Sequence, residues 1–278
     1  MITFPIAKIN LGLNVVERRP DGYHNLQTVF YPVGIKDALE VFPMTDDFPS
    51  EVDCDIKVTN IDIDIEGNEQ HNLVVRAYQL LKNDFPTLPR LHAHLYKGIP
   101  TQAGMGGGSS DASAMLLLLN KEFHLGLSEE QLIQYAAQLG ADCAIFILNR
   151  PAYAEGIGEI LSPIELNLSG WYMGVVRPDI PVPTKEAFAH ITPRMPRKCC
   201  RDIVMQPIET WKEELTNDFE ESVFMTHPEL AAIKESIYQM GAVYAAMSGS
   251  GSALFGLFRQ PVDLSTEFDG MFTTCIKL

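Results

Sequence analysis

Residues 7 to 15 alternate without a break. Ala7, Ile9, Leu11, Leu13 and Val15 form one row, and Lys8, Asn10, Gly12 and Asn14 form the other. A period of two is the signature of a strand with one buried face. Pro20-Asp21-Gly22 is a turn signal, so Leu26 to Val33 reads as the returning strand. Leu39 to Phe42 is a further short strand, and residues 54 to 65 alternate again through Ile56, Val58, Ile61, Ile63 and Ile65. Asn72 to Lys82 reads as a helix and Leu91 to Tyr96 as a strand. The apolar run Met115 to Leu119 belongs to a helix reaching about Phe123, with Gly126 beyond it. Ser128-Glu129-Glu130-Gln131 is a capping box opening a helix that Gly140 stops.

The second half restarts with its own set of strands and helices, which puts a boundary near residue 160 and divides the chain into 1–160 and 161–278. Tyr172 to Val176 reads as a strand. Pro178 to Cys200, rich in proline and basic residues, reads as a long surface loop with a short helical piece at Lys185 to His190. Helices follow near Ile208 to Leu215, Glu220 to Phe224 and Glu229 to Met240. Ser248 to Gly251 is a glycine-serine turn before a strand from Ala253 to Phe258.

Composition narrows the class. A chain of 278 residues can bury a large core as one domain or two. It holds no apolar run of membrane-spanning length and no signal-peptide pattern at its start, which points to a cytoplasmic protein without membrane partners. The five cysteines show no C-x-x-C spacing, as expected in a reducing compartment. Cys199-Cys200 reads as two unrelated thiols. A net charge of −15 repels nucleic acid, so nucleic acid is not expected as a partner. The acidic residues of 46 to 69 read as a solvated face. An anionic ligand would therefore depend on backbone N–H groups, a metal and a few cations near the motifs, of which Lys8, Arg18, Arg19 and Lys97 are the candidates.

The strongest chemical signal is Gly104-Met105-Gly106-Gly107-Gly108-Ser109-Ser110, with four glycines and two serines in seven positions. Glycine lets N–H groups turn inward with no side chain in the way, and such a loop feeding a helix N-terminus binds anions. No lysine follows the glycines, which excludes a P-loop. Ser109 stands where a dinucleotide fingerprint needs its third glycine, and H-R-D and D-F-G are missing, which excludes the protein-kinase loop. Ser109, Ser110 and Asp111 are good N-cap residues. Asp142 precedes the apolar run 143–148 and is either an N-cap or a carboxylate with a partner. Tyr23-His24 at a turn tip is either packing or a ligand contact. His92-Ala93-His94 lacks a third metal ligand in sequence, and Glu155 to Glu159 looks like a structural turn.

The glycine-serine loop resembles the phosphate loop of the GHMP kinases. Other stretches continue the likeness in order. They are Ala7-Lys8-Ile9-Asn10-Leu11, Asp21-Gly22-Tyr23-His24 with Leu26-Gln27-Thr28, Asn72-Leu73-Val74-Val75-Arg76-Ala77 and Leu139-Gly140-Ala141-Asp142. Ala154-Glu155-Gly156-Ile157-Gly158-Glu159 and Ser248-Gly249-Ser250-Gly251 complete the set. The resemblance implies an α+β fold with a ribosomal-protein-S5-like N-terminal domain and a ferredoxin-like C-terminal domain. It implies a kinase using ATP and Mg²⁺, with Lys8 and Asp142 catalytic. Asn72, Lys97, Gly104, Gly106, Gly107, Gly108, Ser109 and Ser110 would bind ATP, and the hydroxyl of Ser109 or Ser110 would lie near the metal. Asn10, Tyr23, His24, Asp142, Thr184, Phe188, Ser248 and Gly249 would bind the acceptor. The narrower likeness is to members whose small-molecule acceptor is a cytidine diphosphate sugar alcohol, with His24 bonding the base, Tyr23 stacking on it and Phe188 as the opposite slice. Lys185 after Thr184 departs from the usual second proline. Homoserine or mevalonate kinases, and a non-catalytic ATP-binding regulator on the same fold, remain as alternatives. Either a monomer or a homodimer suits this reading.

Overall fold

The computed structural model describes residues 1–59 and 71–278. In chain order the first elements are β1 (Ile2–Thr3), β2 (Ile6–Arg18), β3 (His24–Lys36), β4 (Ala38–Pro43), β5 (Cys54–Thr59) and α1 (Leu73–Asp84). Then come β6 (Leu91–Tyr96), α2 (Gly107–Glu122), α3 (Glu129–Leu139), α4 (Ala144–Leu148), β7 (Ala152–Glu155) and β8 (Ile160–Pro163). The rest is β9 (Tyr172–Arg177), α5 (Thr184–Ala187), α6 (Cys200–Val204), α7 (Trp211–Glu214), α8 (Asp218–Thr226), α9 (Pro228–Gln239), β10 (Tyr244–Met247), β11 (Leu254–Phe258) and β12 (Phe272–Lys277).

The chain forms two compact units that are not consecutive halves. One holds Met1–Ala7, Ile35–Thr101 and Gly106–Arg150; the other holds Lys8–Gly34, Gln102–Met105 and Pro151–Leu278. A single cut near residue 160 thus misses that Lys8–Gly34 folds with the later residues. The reason lies in the core of that unit, where Leu13 and Val15 pack among Val176, Phe219, Val223 and Leu254.

In the first unit the sheet runs β1-β4-β6-β5. Leu39, Val41, Ile56, Leu91, Ala93 and Leu95 turn one face of it onto α1 and α2. Helix α1 starts where Asn72 accepts a bond from the Val74 N–H, and it buries Val74, Val75, Ala77, Tyr78 and Leu81 at helical spacing. Helix α2 buries nine residues around its girth, which accounts for the unbroken apolar run in its second half. Ser128 and Gln131 form the expected capping box on α3, and Gly140 ends it.

In the second unit the sheet order is β10-β11-β9-β12, with every pair antiparallel. In chain order those strands are second, third, first and fourth, which is the ferredoxin-like arrangement. Helices α8 and α9 supply its first crossover; the second crossover, between β11 and β12, is turns. A second sheet runs β2-β3-β7-β8.

Several expectations need correction. Strand β2 is buried on both faces, since Lys8, Asn10 and Asn14 are buried along with the apolar row. Its polar side chains are held by hydrogen bonds, so the two-period pattern marks a polar interior instead of a solvent face. Helix α2 starts at Gly107 with Gly106 as a left-handed N-cap, so Ser109, Ser110 and Asp111 lie inside its first turns. The short helix predicted at Lys185 to His190 is Thr184–Ala187, and Val182 and Ala187 are buried, so this loop is partly core. Residues 61 to 65 of the alternating stretch, and the acidic positions among 60 to 70, lie outside the described residues.

Candidate active site

Lys8 sits in the middle of a hydrogen-bonded chain along β2. Its ammonium donates to the Asn10 Oδ1 at 2.7 Å and to the Gly104 carbonyl at 2.9 Å. The Asn10 Nδ2 donates to Thr28 Oγ1 at 2.9 Å, and Thr28 donates to the Gly12 carbonyl at 2.5 Å. The Lys8 main-chain N–H bonds the Met105 carbonyl at 3.0 Å, which fastens the strand to the glycine loop. The Phe30 ring lies 5.0 Å from the ammonium. At 2 % exposure Lys8 is no surface lysine. Burying an ammonium is costly unless it is bonded, and here the bonds are present.

Gly104 is held from the other side as well. Ser248 Oγ donates to the same Gly104 carbonyl at 2.9 Å. A Cβ built on Gly104 would meet the Ser248 carbonyl oxygen at 1.9 Å, and one on Gly249 would meet the Gly104 carbonyl at 3.2 Å and Asn10 Oδ1 at 3.3 Å. The two glycine-serine turns therefore touch main chain to main chain. This unit gathers Lys8, Asn10, Gly104, Ser248 and Gly249, five of the residues singled out in the sequence.

The residues expected on the acceptor side form a second group in the same unit. The His24 and Phe188 rings stack at 4.7 Å between centroids, 17° from parallel, and Phe188 meets Phe219 edge-on. Burial, then the charge of Arg18, lowers the His24 pKa, which favours the neutral ring. Tyr23 is 61 % exposed at the turn tip, where its N–H bonds Asp21 Oδ1. Thr184 opens α5, and its carbonyl accepts from the Phe188 N–H. Phe188 was expected as the slice opposite Tyr23, with His24 bonding the base; the His24 ring covers one face of Phe188, and at 4.7 Å the two rings leave no room for a base between them.

In the other unit the remaining loop residues open α2. Gly106 has φ +72° and no side chain to cap the helix, so no side chain of the N-cap residue occupies its N-terminus, the kind of place where anions can bind. The Ser110 N–H bonds the Gly106 carbonyl. Ser109 is half-buried and its hydroxyl contacts the Cys143 thiol, while Ser110 is buried. Lys97, expected to flank the nucleotide, is buried beneath this turn. Its ammonium bonds Asp37 Oδ2 and, at 2.7 Å, Asp111 Oδ2, and lies 3.2 Å from where a Cβ on Gly107 would stand. Asp37 Oδ1 also accepts from the Gly98 and Ile99 N–H groups at 2.6 and 2.7 Å. Burial works against the Lys97 charge, but the Asp111 and Asp37 carboxylates outweigh it and raise its pKa. Burial pushes the Asp111 carboxyl up to about 8, against the pull of Lys97.

Asn72 spends its side-chain oxygen on the α1 cap. Asp142 lies half-buried in the turn between α3 and α4. Burial pushes the neighbouring Cys143 thiol up to about 11, and the Asp142 charge adds to that. Asn72, Lys97, Gly106 to Ser110 and Asp142 belong to the first unit; Lys8 and the acceptor-side group belong to the second. All five cysteines are free thiols. Among the described residues no group of His, Cys, Asp and Glu could hold a metal by itself, the His92-His94 pair included. Glu155 to Glu159 forms the turn between β7 and β8, as its sequence suggested.

Thr28 and Asp37 as bonding partners and Asp111 as an ion-pair partner were missed in the sequence, as was Asn217, whose Nδ2 donates to the Met247 and Gly249 carbonyls on either side of Ser248. Asn217 carried a signal, being a good N-cap before the helix expected near residue 220. Asp37 carried none, because its partners lie about sixty residues away in the chain.

Known proteins match the chain along its length. The family described as GHMP kinases N terminal domain matches residues 72–150, and GHMP kinases C terminal matches 199–271. A 4-diphosphocytidyl-2-C-methyl-D-erythritol kinase of Bacteroides thetaiotaomicron is 52% identical over 277 residues, covering 100% of this chain and 99% of its own. The protein of that name in Parabacteroides distasonis is 44% identical over 275 residues, covering 99% and 97%. Among solved structures, a 4-(cytidine 5'-diphospho)-2C-methyl-D-erythritol kinase superposes with a TM-score of 0.80 at 30% identity, covering 100% and 99% of the two chains. Methanococcus jannaschii mevalonate kinase superposes at 0.69 with 12% identity over 100% and 98%, a likeness of fold alone.

Proposed function

The chain belongs to the GHMP kinases, and from that premise we propose that it transfers the γ-phosphoryl group of ATP to the 2-hydroxyl of 4-diphosphocytidyl-2-C-methyl-D-erythritol, in the non-mevalonate route to isoprenoid precursors. One observation carries the chemistry: a buried ammonium, that of Lys8, rests on the carbonyl of the first glycine of the phosphate loop. The identity of the acceptor rests on relatives of that name, 44% to 52% identical along the whole chain.

Phosphoryl transfer asks a protein for position and charge more than for covalent chemistry. The uncapped N-terminus of α2, with Gly106, Gly107, Gly108, Ser109 and Ser110, receives the phosphates, and Asn72 lies by the adenine. Lys97 acts from beneath the loop, as a brace for Gly107. Lys8 orients the acceptor and stabilises charge spreading over the transferred group. Asp142 accepts the proton of the 2-hydroxyl as its oxygen bonds to the γ-phosphorus. The bond from that phosphorus to the bridging oxygen breaks, and ADP leaves. Asn10, Ser248 and Gly249 line the acceptor side; Thr184 and the His24-Phe188 pair, with exposed Tyr23, hold the cytidine end. Mg²⁺, when bound, neutralises phosphate charge. Because no described cluster could hold it alone, it would come with the nucleotide, and the hydroxyl of Ser109 or Ser110 is the fitting protein donor. The free thiols suit a reducing cytoplasm. Among the described residues no helix is long and apolar enough to cross a membrane.

The test is ADP release with three acceptors offered in parallel: the cytidine substrate, homoserine and mevalonate. Turnover of the cytidine compound alone supports the reading. Preference for either of the others would move the chain to another branch, and ATP binding without turnover of any would make it a regulator.

A further inference from the structure

Asn217 is 4 % exposed and lies outside every motif discussed so far. Its carboxamide makes three hydrogen bonds. Nδ2 donates to the Met247 and Gly249 carbonyls, both at 2.8 Å, and Oδ1 accepts from the Phe219 N–H at 3.0 Å. The two acceptors flank Ser248, so the amide grips the turn on either side of the residue whose hydroxyl bonds the Gly104 carbonyl. That carbonyl is also the acceptor for the Lys8 ammonium. On its other side Asn217 is bridged to Leu13, and the Leu13 N–H bonds the Thr216 carbonyl at 2.9 Å. Leu13 is on β2, the strand that carries Lys8 and Asn10. The circuit closes: β2, Asn217, the Ser248 turn, Gly104, Lys8 and β2 again, all within one compact unit.

We propose that Asn217 is a positioning residue for phosphoryl transfer, holding the Lys8 ammonium in place through Ser248 and the Gly104 carbonyl. The inference rests on the functional reading above. A helix cap alone needs only the Oδ1 acceptor. The two donors to Met247 and Gly249 serve the turn, so the two roles can be separated by substitution. Serine is also a good N-cap but has one hydroxyl and cannot donate to two carbonyls while accepting from Phe219.

The experiment compares the full chain with Asn217→Ser, Ser248→Ala and the double variant. Misplacing a catalytic group by about 1 Å can cost on the order of 10²-fold in rate. Each single variant is therefore expected to lower kcat by about tenfold or more, with KM for ATP and for the acceptor within about threefold. The double variant should be no slower than the worse single one, because both substitutions break the same line of support. A second readout needs no turnover. The Lys8 and Ala253 amides bond the Met105 and Ala103 carbonyls of the loop, and their hydrogen exchange should quicken in Asn217→Ser. Wild-type kcat in either single variant, or losses that multiply in the double, would overturn the proposal. So would Ser248→Ala raising only the acceptor KM, which would make Ser248 a plain binding contact. If the wild-type protein turns over no acceptor, the functional reading falls, and the exchange rates alone decide whether Asn217 supports the loop.

Discussion

Lys8 and Lys97 are 2 % and 6 % exposed, and burial is met in different ways. Lys8 has neutral oxygens of Asn10 and Gly104 among its partners, whereas Lys97 faces the carboxylates of Asp37 and Asp111. Asp37 accepts from Lys97 and from two main-chain N–H groups. Asp111 is the partner held back by burial. Burial raises its carboxyl from the ordinary value to about 8, against the pull of Lys97, so the folded chain holds that proton more tightly than the unfolded chain does. A raised carboxyl stabilises the fold fully below the lower value and loses that contribution as pH rises through the window. Urea midpoints taken from about pH 5 to about pH 8 should therefore fall more steeply for wild type than for Asp111→Asn. Parallel curves would mean that Asp111 ionises normally. For catalysis, Asp142→Asn should lower kcat by about 10²- to 10⁴-fold, the usual worth of a positioned base, with ATP affinity kept. Near-normal kcat would remove Asp142 from the proton transfer. Lys8, Lys97 and Asp142 could be singled out because they lie in or beside motifs; Asp37 could not. The environment was not legible: spacing alone suggested a solvent-facing Lys8, since no local pattern reports that both faces of a strand are covered.

Elements with strong local signals were legible close to their true bounds. Strand β6 was read at its observed ends, and α1 and α3 within a residue or two, because period, cap and stop agreed, whereas α2 was read near its end but begins earlier than its expected caps. The misses are short or half-buried. Strand β12 is Phe-Thr-Thr-Cys-Ile-Lys, a mixed sequence on the outer edge of its sheet, and it has no alternation to see. Helix α6 has five residues, and β10 has four, all buried, which periodicity cannot tell from a helix segment. Strands β7 and β8 were hidden behind the turn that joins them. The loops that meet at Gly104 were found as glycine-serine runs, but their contact was not, because 144 residues separate Ser248 from Gly104. That contact sets a prediction. Gly104→Ala places a Cβ 1.9 Å from a main-chain oxygen at a φ of +70°, so the two turns must part. Activity should drop by about 10²-fold or more and the melting temperature should fall. A variant with both near wild type would show that the turns do not need each other.

For the whole molecule, the expected division at residue 160 described where patterns restart and not where the core closes. Leu13 and Val15 of β2 are buried among residues after 170, and main-chain bonds join Leu13 to Thr216 and Arg194 to Val15. Alternation tells which residues share a face; it does not name the partner that covers them. A fragment of residues 161–278 should therefore lack a cooperative thermal transition and bind a hydrophobic dye, because it has lost part of its core. A sharp, reversible melt would show that Lys8–Gly34 is dispensable to that unit. The acidic balance of −15 left the phosphate site to a handful of cations, and two of the four candidates, Lys8 and Lys97, are buried in networks. The interlocked turns also bound what redesign can reach. What a new side chain at Gly104 would strike is peptide backbone, so no trimming of neighbouring side chains makes room. Anyone retuning this protein for other alcohols would leave that seam alone and begin at Tyr23, whose ring stands largely in water.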